Sequence, residues 1–383
     1  MPWRSRDVEQ QRMAFVIRAS SGLEPMRPLC REFEIAASTG YEWKRRFAGC
    51  SRLAELGEHS RRPHHSPGKT AWVIEQQVVA LRRQFGWGAR KLQVLLAETG
   101  TRLPVSTINR IIERNGLVDE PSRGRPALRR FERAEPNELW QMDFKGDYPV
   151  AEGRCYPLSL LDDHSRYLVG LYPLPRPDGR LVEASLVDAF ERCGLPEAIL
   201  TDHGTPWWSN TNQWGLTWVA VAVMKQNIRL CFSGFRHPQT QGKVERFHRT
   251  LKRDLLHHGQ PQTMAGFEQG LSRFRQTYNE QRPHEALRMQ RPAEHYRPSK
   301  RAYEPTPAEF AYPTEWMLSR LNAQGMLTHR GRRYFVCEAL AGETVAWQAL
   351  GAKWLVRYRN MYVREIDPKT GSTKPLVLPA GLS

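Results

Sequence analysis

PSRGRPALRRFER, residues 121–133, sets five arginines and one glutamate between proline and glycine breaks, and such a stretch cannot bury a core of its own. It therefore divides the chain. Ahead of it apolar residues recur at helical spacing, and behind it they alternate as in strands. A second break, LGEHSRRPHHSPGKT at residues 56–70, is rich in Pro, Gly, Ser and His and splits the front in two. The 383 residues leave room for more than one core on either side. The layout predicted is an all-α module over 1–55, a linker over 56–70, a second all-α module over 71–118, a basic arm over 119–134, an α/β core over 135–300 and a small all-β barrel over 301–383.

In the first module VEQQRMAFVIRAS forms an amphipathic helix, MRPLCREF a second, and STGYEWKRRF a third after a short turn. The third opens with Ser38 and Thr39 and closes with Lys44, Arg45 and Arg46. Helix, short turn and a polar-fronted helix ending in cations is a helix-turn-helix outline, whose last helix enters the major groove. Residues 71–118 repeat it: the last helix has Val105, Ser106 and Thr107 around its N-cap and the cations Arg110 and Arg114. Two such modules in tandem suit a long, bipartite DNA site. Arg123, Arg125, Arg129 and Arg130 of the arm either follow phosphates or form a solvated tether.

Charge agrees with a polyanionic partner. The chain has 57 Lys+Arg against 40 Asp+Glu, a net +17, and residues 1–134 alone carry 25 basic and 14 acidic residues. Its longest apolar run, Leu216 to Met224, is too short to span a bilayer. With no secretory leader pattern, the expectation is a soluble protein of the cytoplasm or nucleoid. Six scattered cysteines without a CxxC read as reduced, packed thiols. His64 and His65 lack paired cysteines at ligand spacing, so zinc is not expected.

Behind the arm, LWQMDFKGDYPV places Leu139, Gln141, Asp143 and Lys145 on one strand face and Trp140, Met142 and Phe144 on a core face. CYPLSLL and RYLVGLYPL read as a hairpin closed by Asp162, Asp163, His164 and Ser165. VEASLVDAFERCG is a helix, AILTDHG a short buried strand ending on Asp202, and NIRLCFSG another strand. A helix starting near Gln241 aligns Val244, Phe247, Leu251 and Leu255 on one apolar stripe, with Glu245 at its border. Ligands of an α/β sheet gather beyond strand carboxyl ends, so Asp143, Asp202 and Glu245 could meet. Three close acids call for a cation, and hard oxygen ligands suit Mg²⁺ or Mn²⁺. Taken singly, each acid also reads as a solvated strand, loop or ion-paired helix residue.

WQMDFKG, TDHGTPW and HPQTQGKVERFHRTLK together resemble the signature stretches of the retroviral-integrase-like core of bacterial insertion-sequence transposases, the DDE superfamily, and LLDDHSRYLVG resembles the segment between the first two. The resemblance covers about residues 136–300. It implies an RNase H-like catalytic core with Asp143, Asp202 and Glu245 as catalytic metal ligands. It further implies two Mg²⁺ ions, for which Mn²⁺ can substitute, activating first water and then a DNA 3′-hydroxyl. The partners implied are double-stranded DNA, as inverted-repeat ends and target, and further copies of the chain on that DNA. The 42 residues between Asp202 and Glu245 exceed the family's familiar spacing, with the excess in WWSNTNQWGLTW.

Around the last acid, Gln239 and Gln241 precede the helix beside His237, and Lys243, Arg246, Arg249 and Lys252 line its polar face. These six are expected at DNA, the glutamines with N-capping as the equal alternative. Two other functions stay open: a non-catalytic helix-turn-helix DNA-binding regulator, and an RNase H-like nuclease without strand transfer.

Overall fold

The computed structural model describes residues 8–49, 68–118, 133–209, 215–232, 242–257 and 259–376. Most of the 56–70 linker, the arm residues Arg123, Arg125, Arg129 and Arg130, and His237, Gln239 and Gln241 lie outside the described residues. The chain forms two compact units, Met1–Thr70 and Ala71–Ser383.

In the first unit, helices α1 (Val8–Ser21), α2 (Met26–Glu32) and α3 (Ala37–Ala48) enclose Phe15, Val16, Leu29, Cys30, Ile35 and Trp43. Gly40 lets α3 close on α2: a Cβ there would run into the Cys30 sulfur and the Phe15 ring. The second unit opens with α4 (Trp72–Phe85), α5 (Ala89–Glu98) and α6 (Val105–Arg114), packed around Val78, Trp87, Leu92, Leu96, Ile108 and Ile111. The residue capping α6 is Pro104, without a side-chain cap bond, so Ser106 and Thr107 sit inside the helix and not at its cap.

A mixed sheet follows. Strands β1 (Trp140–Phe144), β2 (Tyr148–Val150), β3 (Gly153–Asp162), β4 (Leu168–Leu174), β5 (Ala198–Thr201) and β8 (Arg229–Phe232) form the order β2-β3-β1-β5-β8, with β4 on β3. Pairing is antiparallel from β1 to β3 and parallel from β1 through β5 to β8. Between them run α7 (Gly179–Cys193), the small hairpin β6 (Trp208–Ser209) with β7 (Gly215–Leu216), and α8 (Trp218–Lys225). The alternation in β1 predicts one polar face, yet Leu139 and Gln141 are as buried as Trp140 and Met142. A central strand between β3 and β5 is covered on both faces, and Gln141 survives there by hydrogen bonding.

The sheet is covered by α7 and α8 on one face and, on the other, by α9 (Gly242–His257) and α10 (Met264–Gln276). The expected stripe of α9, Val244, Phe247, Leu251 and Leu255, is buried with Phe267 and Leu271 against Leu161, Leu168 and Leu171. Each such side chain is worth about 1.5–3 kcal/mol of burial, against about 0.2–0.5 for a surface ion pair. The stripe thus decides which face of α9 looks outward, and Glu245 is on that exposed face.

After the short α11 (Pro292–His295) the chain turns to strands β9 (Met317–Arg320), β10 (Met326–His329), β11 (Arg332–Phe335), β12 (Thr344–Leu350), β13 (Lys353–Tyr358), β14 (Met361–Ile366) and β15 (Thr373–Pro375). They make a five-stranded antiparallel sheet, β15-β14-β13-β12-β9, and a separate β10-β11 hairpin. No pairing joins β9 to β15 among the described residues. Apolar residues of this region, among them Leu340, Val345, Trp347 and Val363, belong to the same continuous core as Trp140, Phe190, Val223 and Phe232 of the mixed sheet and its helices. No helix among the described residues is long and apolar enough to cross a membrane.

Candidate active site

Asp143 is the fourth residue of β1 and pairs across the ladder with Ser159. The Ser159 hydroxyl donates to the Asp143 carbonyl oxygen at 2.9 Å and lies 2.8 Å from Nε2 of the buried His248, one turn along α9 from Glu245. Because that hydroxyl has a single proton, already directed at the carbonyl, Nε2 must carry the imidazole hydrogen and Nδ1 its lone pair. Nδ1 stands 3.6 Å from Oδ2 of Asp143. Burial, with Lys145 adding to it, pushes the His248 pKa down to about 3, so this contact is not an ion pair at neutral pH.

The carboxyl of Asp143 is pushed up to about 7, first by burial and next by the charge of Asp202, with Glu245 contributing in the same direction. The backbone N–H of Phe144 and the charge of Lys145 oppose the rise. The charges of Asp202 and Glu245 thus add to a rise that burial begins. Asp202 follows β5 directly. Its Oδ1 accepts from the Gly204 backbone N–H at 3.0 Å and from Trp207 Nε1 at 2.9 Å. Gly204 is required by that closeness: a Cβ there would lie 2.9 Å from Oδ1. Glu245 stands in the first turn of α9.

Carboxylate oxygens are the donors that suit a hard divalent cation. Among the described residues, no three His, Cys, Asp or Glu side chains stand together at metal-holding distance.

The other expected site residues fall into three groups. Arg246, Arg249 and Lys252 are exposed along α9, and Ser38, Arg45, Ser106 and Arg110 are exposed on α3 and α6. Thr39, Lys44, Arg46 and Thr107 are half-buried, the Arg46 guanidinium lying 4.2 Å from the Trp43 ring centre. Arg114 is engaged by the buried Glu75 at 3.0 Å. Lys243 is not on the outer face: its ammonium is 2.6 Å from Oδ2 of Asp163. Asp162 and Asp163 are fully buried and act as hydrogen-bond hubs, Asp162 accepting from the Asn137 and Ser165 backbone N–H groups and the Ser165 hydroxyl. Ser159, Trp207 and His248 join the site unannounced. Trp207 ends the TDHGTPW stretch and His248 follows Glu245 by three residues, but their partners are visible only after folding.

Two family profiles, both described as integrase core domain, match this chain over residues 133–238 and 226–292. An insertion element IS407 uncharacterized 31.7 kDa protein of Burkholderia multivorans is 29% identical over 272 residues, which is 69% of this chain and 93% of that protein. The transposase for insertion sequence element IS904 of Lactococcus lactis is 27% identical over 222 residues, 52% of this chain and 83% of that protein. Among solved structures, the simian T-cell lymphotropic virus intasome in complex with PP2A regulatory subunit B56 gamma aligns with TM-score 0.37 and 16% identity, covering 79% of this chain and 100% of that one. Residues 133–292 thus match the integrase core domain, and the chain is similar to proteins of insertion elements, one of them a transposase.

Proposed function

We propose that this chain is a DNA transposase that binds terminal inverted repeats, cleaves at the ends of its element and joins the 3′ ends to target DNA. The observation that carries this reading is the match to integrase core domains over residues 133–292, the stretch that holds Asp143, Asp202 and Glu245. Asp143, Asp202 and Glu245 would hold two Mg²⁺ ions, or Mn²⁺ in their place, and such ions supply Lewis-acid stabilisation of phosphodiester displacement. The chain's own contribution is positional. Trp207 and Gly204 fix Oδ1 of Asp202, and Ser159 ties the Asp143 backbone to His248. Asp143 would have to be unprotonated to hold a cation, since a ligand oxygen carries no proton. The exposed Arg246, Arg249 and Lys252 place positive charge beside Glu245, where a DNA phosphate would lie. Ser38, Thr39, Lys44, Arg45 and Arg46 of α3, with Ser106, Thr107 and Arg110 of α6, serve to read and grip the ends. Assembly as a homo-oligomer on DNA would bring two ends together.

The test is a joining assay. Purified protein, DNA carrying the repeats that flank its gene, a target plasmid and Mg²⁺ should give nicked ends and then joined products. Nicking without joining would reduce the protein to a nuclease. Repeat binding with neither product, in Mg²⁺ and in Mn²⁺, would leave a DNA-binding regulator.

A further inference from the structure

Lys243 and Glu245 are two residues apart on α9, yet one is half-buried against the sheet and the other faces outward. The ammonium of Lys243 donates to Oδ2 of Asp163 at 2.6 Å and to its carbonyl oxygen at 3.0 Å. Oδ2 also accepts the Arg133 backbone N–H at 2.9 Å, and Oδ1 accepts Nε2 of Gln141 at 2.7 Å. The amide oxygen of Gln141 accepts the Val244 backbone N–H at 3.3 Å. Both Asp163 and Gln141 are 0% exposed. Gln141 precedes Asp143 by two on β1, so both side chains leave the same face of that strand.

Two consecutive residues of the first turn of α9 are thus tied to the strand that carries Asp143 and to the end of β3. First-turn N–H groups have no partner inside their helix, and here one is satisfied by a side chain of the neighbouring sheet. A buried ion pair is weak evidence for stability, because desolvation cancels much of the attraction; its established use is to fix registry. We infer that Asp163, Gln141 and Lys243 form a clamp that sets Glu245 in register with Asp143, making Lys243 a positioning residue and not a DNA contact. The inference rests on the proposed role of Glu245 as a metal ligand.

The test uses the full chain and Mn²⁺ as probe, its binding read from the loss of the free-ion electron paramagnetic resonance signal without any reaction. The double variant Asp163→Asn with Lys243→Gln removes both charges of the pair and leaves neither unpaired. It should keep its urea midpoint near wild type and bind end DNA with unchanged salt dependence, while its Mn²⁺ affinity falls about tenfold, at the lower edge of losses seen when ligand-orienting partners are removed. Lys243→Arg preserves the charge balance, so it folds even if the double variant does not, and its altered head should weaken Mn²⁺ binding at least about threefold. Wild-type Mn²⁺ affinity in either folded variant overturns the clamp. So does a log K against log salt slope flattened by about 0.9 in the double variant, which would mean that the native lysine neutralises a phosphate. A wild-type protein that binds Mn²⁺ through Glu245 but never joins ends would overturn the transposase reading alone, and the clamp would still be judged on the Mn²⁺ affinities.

Discussion

Trp207 joins two of the three acids: its indole N–H donates to Oδ1 of Asp202 at 2.9 Å, while its ring stacks on Phe144, the neighbour of Asp143, with centroids 5.6 Å apart. Trp207→Phe keeps a stacking ring and deletes the donor. Joining should fall about 10 to 100-fold, as for other groups that orient a ligand, with end binding intact. Equal activity in Trp207→Phe and wild type, measured in single-turnover joining, would show the indole to be packing alone.

Glu245→Gln separates the two readings of that residue most sharply. As an exposed helix residue among cations it is worth a few tenths of a kcal/mol, so melting should barely move. As a ligand it is indispensable, and cleavage and joining should drop more than about 100-fold while DNA affinity stays level or rises. Asp143→Asn and Asp202→Asn should behave alike, and combining them should add little, because groups that act as one unit are not additive. Near-normal joining by Glu245→Gln would remove this residue from the site.

Arg246, Arg249 and Lys252 face outward on α9 and should act as a set. Replacing all three with Ala should weaken binding to repeat and random DNA equally. The log K against log salt slope should flatten by about 0.9 for each phosphate that the variant no longer neutralises. A loss confined to the repeat sequence would assign them to base edges instead.

Acid should destabilise the fold through His284, whose ring packs edge-on to Tyr278 and accepts from the Arg282 guanidinium at 3.2 Å. Burial, with the charges of Arg282, Lys91 and Arg166, pushes its pKa down to about 2. An unfolded chain takes up that proton near the ordinary value of about 6.5. As pH falls below 6.5 the unfolded state therefore binds a proton that the folded state refuses, and stability falls by up to about 1.4 kcal/mol per pH unit. Urea melts at pH 7 and pH 5 should show His284→Gln losing about 2 kcal/mol less than wild type over that interval. Parallel losses would mean that the ring is charged in the folded protein.

Much of the core was legible because its signals are local. The spacing of Val244, Phe247, Leu251 and Leu255 gives both the α9 helix and its buried face. Asp202 ends a short apolar strand, and Gly179–Cys193 stops at Gly194 with φ 72°, as its sequence predicts. The misreadings concern partners far away in sequence. Gln141 looks solvent-facing until β5 and α9 cover it, and no local pattern pairs Lys243 with Asp163, 80 residues earlier. Period-two alternation cannot distinguish an edge strand from a central one that buries a hydrogen-bonded amide. Nor does any local pattern connect Trp207 to Asp202, since that bond depends on how the turn after β5 is folded.

The apolar core shared by the mixed sheet and the carboxyl-terminal strands has a practical meaning for anyone cutting this protein into pieces. Lys225 pairs with Glu343 at 2.7 Å, Met361 sulfur accepts the Leu230 backbone N–H at 3.0 Å, and Arg359 reaches Asn227 at 3.2 Å. A fragment ending near residue 300 would keep every acid of the site but strip the cover from residues such as Val223 and Phe232. Such newly wet surface favours aggregation. The shortest well-behaved catalytic fragment should therefore run through β14, and the protein's smallest cooperative block is larger than the stretch that holds its chemistry.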